Sequence, residues 1–199
     1  LPRIIGAVLV GSALSLSGAA YQGVFKNPLV APDLLGVSSG ACVGASVAIL
    51  LHLNSFGVQA MAFVAGILAV GLTLFIPRLI KNTNMTMLVL SGIIVKGIMD
   101  SVMGIIKYVA DPETELQSIT YWQLGSLTKV LPKDLFTVGP VIVAASVIIF
   151  LLRWRINILS LGDREAKTLG VSVTIVRNFI IICATLLTAS AVCISGTIG

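Results

Sequence analysis

Residues 159–173 read LSLGDREAKTLGVSV, a hydrophilic island between two apolar segments, 135–153 and 174–194. Asp163, Arg164, Glu165 and Lys167 crowd together here, in a chain with only 11% charged residues. Leu161, Ala166, Leu169 and Val173 recur at spacings of three to five, which predicts a short amphipathic helix with one apolar face. Gly162 and Gly170 bracket it as helix punctuation. An island of this make-up suits a docking element held at a membrane surface.

The rest of the chain explains why a membrane is involved. Of 199 residues, 57% are hydrophobic, and the mean hydropathy is +1.06. A soluble domain of this length needs more polar surface to cover its core, so the composition belongs to the membrane class. The net charge of +5 comes with no basic cluster interleaved with aromatics, so no nucleic-acid partner is expected. Cys42, Cys183 and Cys193 lie in apolar segments without a CxxC spacing, and read as small packing residues rather than metal ligands or disulfides. His52 stands alone as a helix-end residue. The chain starts at Leu1 without methionine and ends at Gly199 in what reads as mid-structure, as a fragment of a longer protein does.

Six apolar segments can be marked: 4–24, 37–53, 58–77, 85–108, 135–153 and 174–194. Each approaches the roughly 20 residues that cross a bilayer. All should be helices, because a helix satisfies its own backbone in lipid. The fold class is therefore all-α, a polytopic transmembrane bundle. The second segment is the shortest and the least sharply bounded. Segment one carries Ala7, Gly11, Ser15, Ala19 and Gly23, and segment two follows with Gly36, Gly40, Gly44 and Ala48. Small residues at every fourth position share one helix face and let backbones approach, which predicts that both helices sit inside the bundle.

Between these two segments, Pro28 and Pro32 stop helix propagation, while Asn27 and Asp33 suit turns and caps. Ser38 or Ser39 could cap the next helix. After segment four comes an acidic start at Asp111, Glu113 and Glu115, then Tyr121 to Leu127, which reads as a short interfacial helix. If segment one starts outside, the inner face receives Lys26, Arg78, Lys81, Arg153, Arg155, Arg164, Lys167 and Arg177. The outer face receives Arg3, Lys107, Lys129 and Lys133. The bias fits a cytoplasmic inner face, and so puts the island at 159–173 in the cytoplasm.

Lys96 and Asp100 are the charges well inside a span, where insertion of each costs roughly 2.5–3.5 kcal/mol. Their i, i+4 spacing places them on one helix face, where they could pair. Two readings stay open: a self-neutralising pair between helices, or a polar position lining a translocation path. No Walker A loop, HExxH motif or His-centred triad is present, and no catalytic set emerges. Ser195 and Thr197 read as shaping a helix end.

An ordered series of short matches resembles the FecCD-type permeases, the membrane subunits of ABC importers for iron-siderophores, haem and cobalamin. It runs from Leu1-Pro2-Arg3 through Ser17-Gly18-Ala19, Gln22-Gly23, Asn27-Pro28-Leu29, Ala31-Pro32 with Leu35-Gly36, and Ser39-Gly40-Ala41. It continues with Trp122-Gln123-Leu124-Gly125-Ser126-Leu127, Leu161-Gly162, Leu169-Gly170-Val171 and Ser195-Gly196-Thr197-Ile198-Gly199. Together these cover essentially the whole chain.

The resemblance implies a permease of about ten spans, of which this chain holds the second to seventh. It also implies a second permease subunit, identical or different, two cytoplasmic ATPases that bind the ATP and Mg, and an extracytoplasmic substrate-binding protein. No cofactor is expected on this chain, and the location implied is the bacterial cytoplasmic membrane. Residues 159–173 become the ATPase-coupling segment, with Gly162, Ala166, Leu169 and Gly170 as the matching small or apolar positions. Asp163, Arg164, Glu165 and Lys167 would supply polar rim contacts. Lys96 departs from the family, whose corresponding span is generally uncharged at mid-depth, and a cation there would favour an anionic ferric chelate. The rival expectation is a secondary transporter that uses Lys96 and Asp100 as ion-coupling groups.

Overall fold

The structure is a computed structural model that describes residues 2–81, 84–170 and 172–198. Leu1, Val171, Gly199 and the Lys129 side chain, which figure in the expectations above, lie outside what is described. Among the described residues the chain is helical: α1 Pro2–Phe25, α2 Val37–Leu50, α3 Ser55–Leu79, α4 Met85–Val109, α5 Glu115–Leu124, α6 Pro132–Leu151, α7 Arg153–Leu161, α8 Asp163–Thr168 and α9 Val173–Ser195, with a 3-10 turn at Leu127–Lys129. Five helices, α1, α3, α4, α6 and α9, are long and apolar enough to cross a membrane.

The sixth expected span is shorter than its apolar segment. α2 has 14 residues, about 21 Å at 1.5 Å per residue, against the roughly 30 Å of a bilayer core. The irregular connection 26–36 makes up the difference, and backbone of that kind survives at membrane depth only where protein or water satisfies it. Thr73 on α3 donates its hydroxyl to the Leu35 carbonyl at 3.0 Å. Asn27 closes a local turn by accepting the Leu29 N–H at 2.9 Å. Asp33 accepts the Ser38 N–H at 2.7 Å, so the start of α2 is capped by Asp33 rather than by Ser38 or Ser39.

The two small-residue stripes behave differently. On α2, Gly40 and Gly44 lie directly on α3: a Cβ on Gly40 would stand 2.9 Å from the Ala65 carbonyl, and one on Gly44 would strike the Met61 carbonyl. The α1 stripe faces away from the described chain. Gly11 has nothing within 4 Å, and α1 instead buries Gly6, Val10, Ala13, Ser17, Tyr21 and Val24. Gly11 therefore does not pack against the described residues, because α1 turns a different face inward, one that carries Gly6, Ala13, Ser17 and Ala20 beside Val10, Tyr21 and Val24. Gly23 does pack, against Ile156 of α7. Gly36 lies against Val95 and Lys96 of α4, but from outside α2, which it precedes at φ +79°, a conformation costly for any residue with a Cβ.

The core gathers around α9, whose Ile180, Ile181, Ala184, Leu187, Ala189 and Ala191 are fully buried. Tyr21 of α1 and Thr185 of α9 share a buried hydrogen bond of 3.0 Å. Polar contacts sort the helix ends into two faces. One joins Lys26, Asp163 and Arg177. The other joins Gln59 with Asp134 at 3.0 Å, His52 with Glu115 at 3.5 Å, and Lys107 with Gln123 at 2.5 Å. This grouping reproduces the up-and-down alternation read from the charge bias.

Candidate functional site

The island is two helices rather than one. α6 breaks at Leu152, α7 follows over Arg153–Leu161, and α8 occupies only Asp163–Thr168. Between them Gly162 adopts φ +149° and ψ 156°, a region essentially restricted to glycine. Gly170, at φ +75°, donates its N–H to the Lys167 carbonyl at 3.0 Å and closes the segment. The expected single apolar face is split as a result. Leu159, Ala166 and Val173 are buried against the bundle, while Leu161 and Leu169 are 68% and 60% exposed.

The charges divide in the same way. Arg164, Glu165 and Lys167 are exposed. Asp163 is engaged within the chain: Arg177 of α9 donates to both its oxygens at 2.8 Å, and Lys26 approaches at 3.0 Å. The hydrogen bonds from Arg177 hold the Asp163 carboxyl below the usual carboxylate range against a smaller opposing effect of burial, and Lys26 adds to the lowering. α8 is thus tied to the end of α1 and to the start of α9 through one carboxylate. Leu161, Arg164, Glu165, Lys167 and Leu169 are among the side chains left facing outward.

The second polar site lies on α4. Lys96 does not pair with Asp100, as the helical spacing suggested. Its ammonium meets Asp33 Oδ2 at 3.0 Å, across a sequence separation of 63 residues. Asp33 is held in place because its other oxygen accepts the Ser38 N–H, and Gly92 brings α4 onto the Leu34 backbone beside it. Asp100 is exposed and makes no hydrogen bond or ion pair among the described residues. A cavity of about 300 Å³ opens between these elements, lined by Asp33, Ser38, Lys96, Asp100, Gln123 and Thr197 among others.

Sequence reasoning missed Asp33 as a partner for Lys96, although an aspartate directly after Pro32 in an apolar connection was a visible signal of buried polar work. It also missed Asp134, only 6% exposed, which accepts the Leu131 N–H at 2.9 Å at the start of α6. The readings of Ser195 and Thr197 as helix-end residues hold. Ser195 donates to the Ala191 carbonyl at 2.8 Å, and Thr197 bonds the Gln123 carbonyl.

A bundle of apolar helices, interrupted on one face by a short folded polar segment, defines a polytopic membrane protein. The FecCD transport family matches residues 1–199, and the chain belongs to that family. It is 40% identical over 199 residues to a "Probable iron chelatin transport system permease protein" of Helicobacter pylori, covering all of this chain and 60% of the relative. It is 36% identical over 200 residues to the molybdate import system permease protein MolB of Haemophilus influenzae, again over the whole chain and 59% of the relative. The chain thus spans about 60% of the length of these curated relatives.

Among solved structures, one described as an inward-facing metal-chelate type ABC transporter superposes with a TM-score of 0.95 at 35% identity. It covers all of this chain and 63% of that one. PsaBC from Streptococcus pneumoniae shares the fold at a TM-score of 0.67 and 19% identity, over 96% of this chain and 64% of that one.

Proposed function

We infer that this chain is the second-to-seventh-span portion of a permease subunit of an ATP-driven importer in the bacterial cytoplasmic membrane, carrying an iron-siderophore or related metal chelate inward. Its partners would be a second permease subunit, two cytoplasmic ATPases holding ATP and Mg, and an extracytoplasmic binding protein; the chain itself performs no covalent chemistry. One observation carries the reading: α7 and α8 are anchored by Leu159, Ala166 and Asp163, yet turn Leu161, Arg164, Glu165, Lys167 and Leu169 outward. That is what a segment needs if it is to be gripped by a partner and to pass the movement on.

The route of that movement follows from the bonds. A displacement of α8 pulls on Asp163, and through Lys26 and Arg177 on α1 and α9 together. Two transporter states would then differ in their contacts with nucleotide-bound and nucleotide-free ATPase, as any coupled shift requires. Lys96 and Asp100 belong to the path in this reading. The relatives' names span iron chelatin, molybdate, hemin and cobalamin, which supports a metal-containing cargo without choosing among them.

The test is uptake into vesicles holding the full-length permease with its ATPase and binding protein, offered ferric siderophores, haem, cobalamin and molybdate. Uptake that requires ATP and survives collapse of the proton gradient is expected. Uptake that survives ATP depletion and is lost with the gradient would point instead to a secondary transporter.

A further inference from the structure

We propose that the cavity on α4 is a cargo-contact site that favours groups carrying positive charge or hydrogen-bond donors, with Asp100 as the residue that sets the preference. The proposal rests on the importer reading above and adds to it the charge class of the cargo.

Lys96 taken by itself points the other way, towards an anionic chelate. The structure weakens that pull through Asp33. An ammonium with a carboxylate oxygen at 3.0 Å has much of its charge offset, so its remaining N–H groups can still donate but draw an anion less strongly. Asp33 is held at that place, because its other carboxylate oxygen receives the Ser38 N–H at 2.7 Å where α2 begins. The third charge in the cavity, Asp100, has no hydrogen bond or ion pair among the described residues. Two carboxylates and one ammonium therefore line the cavity, a net charge of one negative among its lining side chains, with the Lys107 ammonium set behind Gln123, whose Oε1 accepts from it at 2.5 Å.

A carboxylate at that level of a membrane span is costly to leave against lipid, so the face that bears it must meet water, protein or cargo. The same stretch of α4 is unobstructed: a Cβ added at Gly97 or Gly104 would meet nothing within 4 Å. The other lining groups, Ser38, Gln123 and Thr197, are neutral and can exchange hydrogen bonds with a passing ligand. What distinguishes one cargo from another here is the charge of Asp100, which no other lining side chain pairs.

The experiment measures that charge directly, in the assembled full-length transporter with its native cysteines replaced. Ser38→Cys supplies a thiol in the cavity, and its modification rates by a cationic and an anionic methanethiosulfonate are each normalised to a free small thiol. Because both reagents meet the same thiolate, its fractional ionisation cancels from the ratio. The expected ratio favours the cationic reagent on the order of tenfold. It should collapse towards one in Asp100→Asn, persist in Asp100→Glu, and rise in Lys96→Gln. A ratio at or below one, a ratio unmoved by Asp100→Asn, or no labelling by either reagent would overturn the proposal. Whether the rates respond to ATP is a separate readout: it speaks for or against the importer reading and leaves the charge ratio standing.

Discussion

α9 and α4 have similar lengths and hydropathies, 23 residues at 2.0 and 25 residues at 1.8, yet 78% of the most apolar window of α9 is buried inside the chain against 28% for α4. Their polar residues follow the same division. On α9, Thr185, Thr188, Ser190 and Ser195 are buried, and the three with bonded hydroxyls reach carbonyls of their own helix. On α4, Ser91 near the start is buried, but Lys96, Asp100 and Ser101 further along are exposed. Hydropathy identifies both as spans, but only the placement of polar groups separates a central pillar from a face that awaits water, cargo or another helix.

That contrast can be broken or sharpened by substitution. Ala184→Leu adds bulk at a position with no exposed surface and should destabilise the bundle by ~1–3 kcal/mol. Gly97→Ala on α4 meets open space and should be neutral or stabilising by up to ~1 kcal/mol, as helix propensity dictates. Thermal unfolding of the detergent-solubilised transporter checks both, and equal losses would erase the distinction between the helices.

A smaller effect is expected at Lys96. Lys96→Met leaves Asp33 without its cation, but both side chains keep some exposure, 50% and 28%, so solvent screening limits the loss to ~1 kcal/mol. The double variant with Asp33→Asn should recover part of it, measured as a coupling in a double-mutant cycle. Additive losses would mean that the pair does not hold the 26–36 connection.

The smallest effect concerns pH. The folded-state pKa of Asp163 is lowered, mainly by Arg177. The stabilisation it gives is therefore full above the unfolded carboxylate value and is lost as pH falls through the lowered folded value. Thermal stability of the permease should show no Asp163-dependent change between roughly pH 5 and 8. The gap between the native protein and Asp163→Asn should close only in acid. A gap that varies across neutral pH would place the controlling group elsewhere.

Much of this architecture was legible in the sequence for a simple reason: lipid forces helices, and helices in lipid must be apolar and long. The span positions, the alternation of faces and the location of the polar island all follow from that rule. The structure adjusted what depends on contacts between distant residues. Lys96 looked to Asp100, its neighbour one turn away, but found Asp33 across an irregular connection that no periodicity describes. The two four-residue stripes of small residues looked alike, yet Gly40 and Gly44 lie on α3 while Gly11 meets open space. The identity of a face's partner is a property of the whole bundle, so the pattern on one helix does not reveal it. The island itself split at Gly162, because Ala166 is needed inside and Leu161 and Leu169 remain outside.

That split also determines how the central claim should be tested. Ala166 is buried, so enlarging it would disturb the bundle and the docking surface at once. Leu161 and Leu169 are exposed, and replacing them leaves the core alone. The decisive measurement is retention of the ATPase by the full-length permease carrying Leu161→Asp and Leu169→Asp, with the thermal midpoint of the permease followed in parallel. The account predicts an unchanged midpoint with loss of most co-purifying ATPase and of ATP-dependent uptake. Full retention of the ATPase and of uptake by the doubly substituted permease would contradict it.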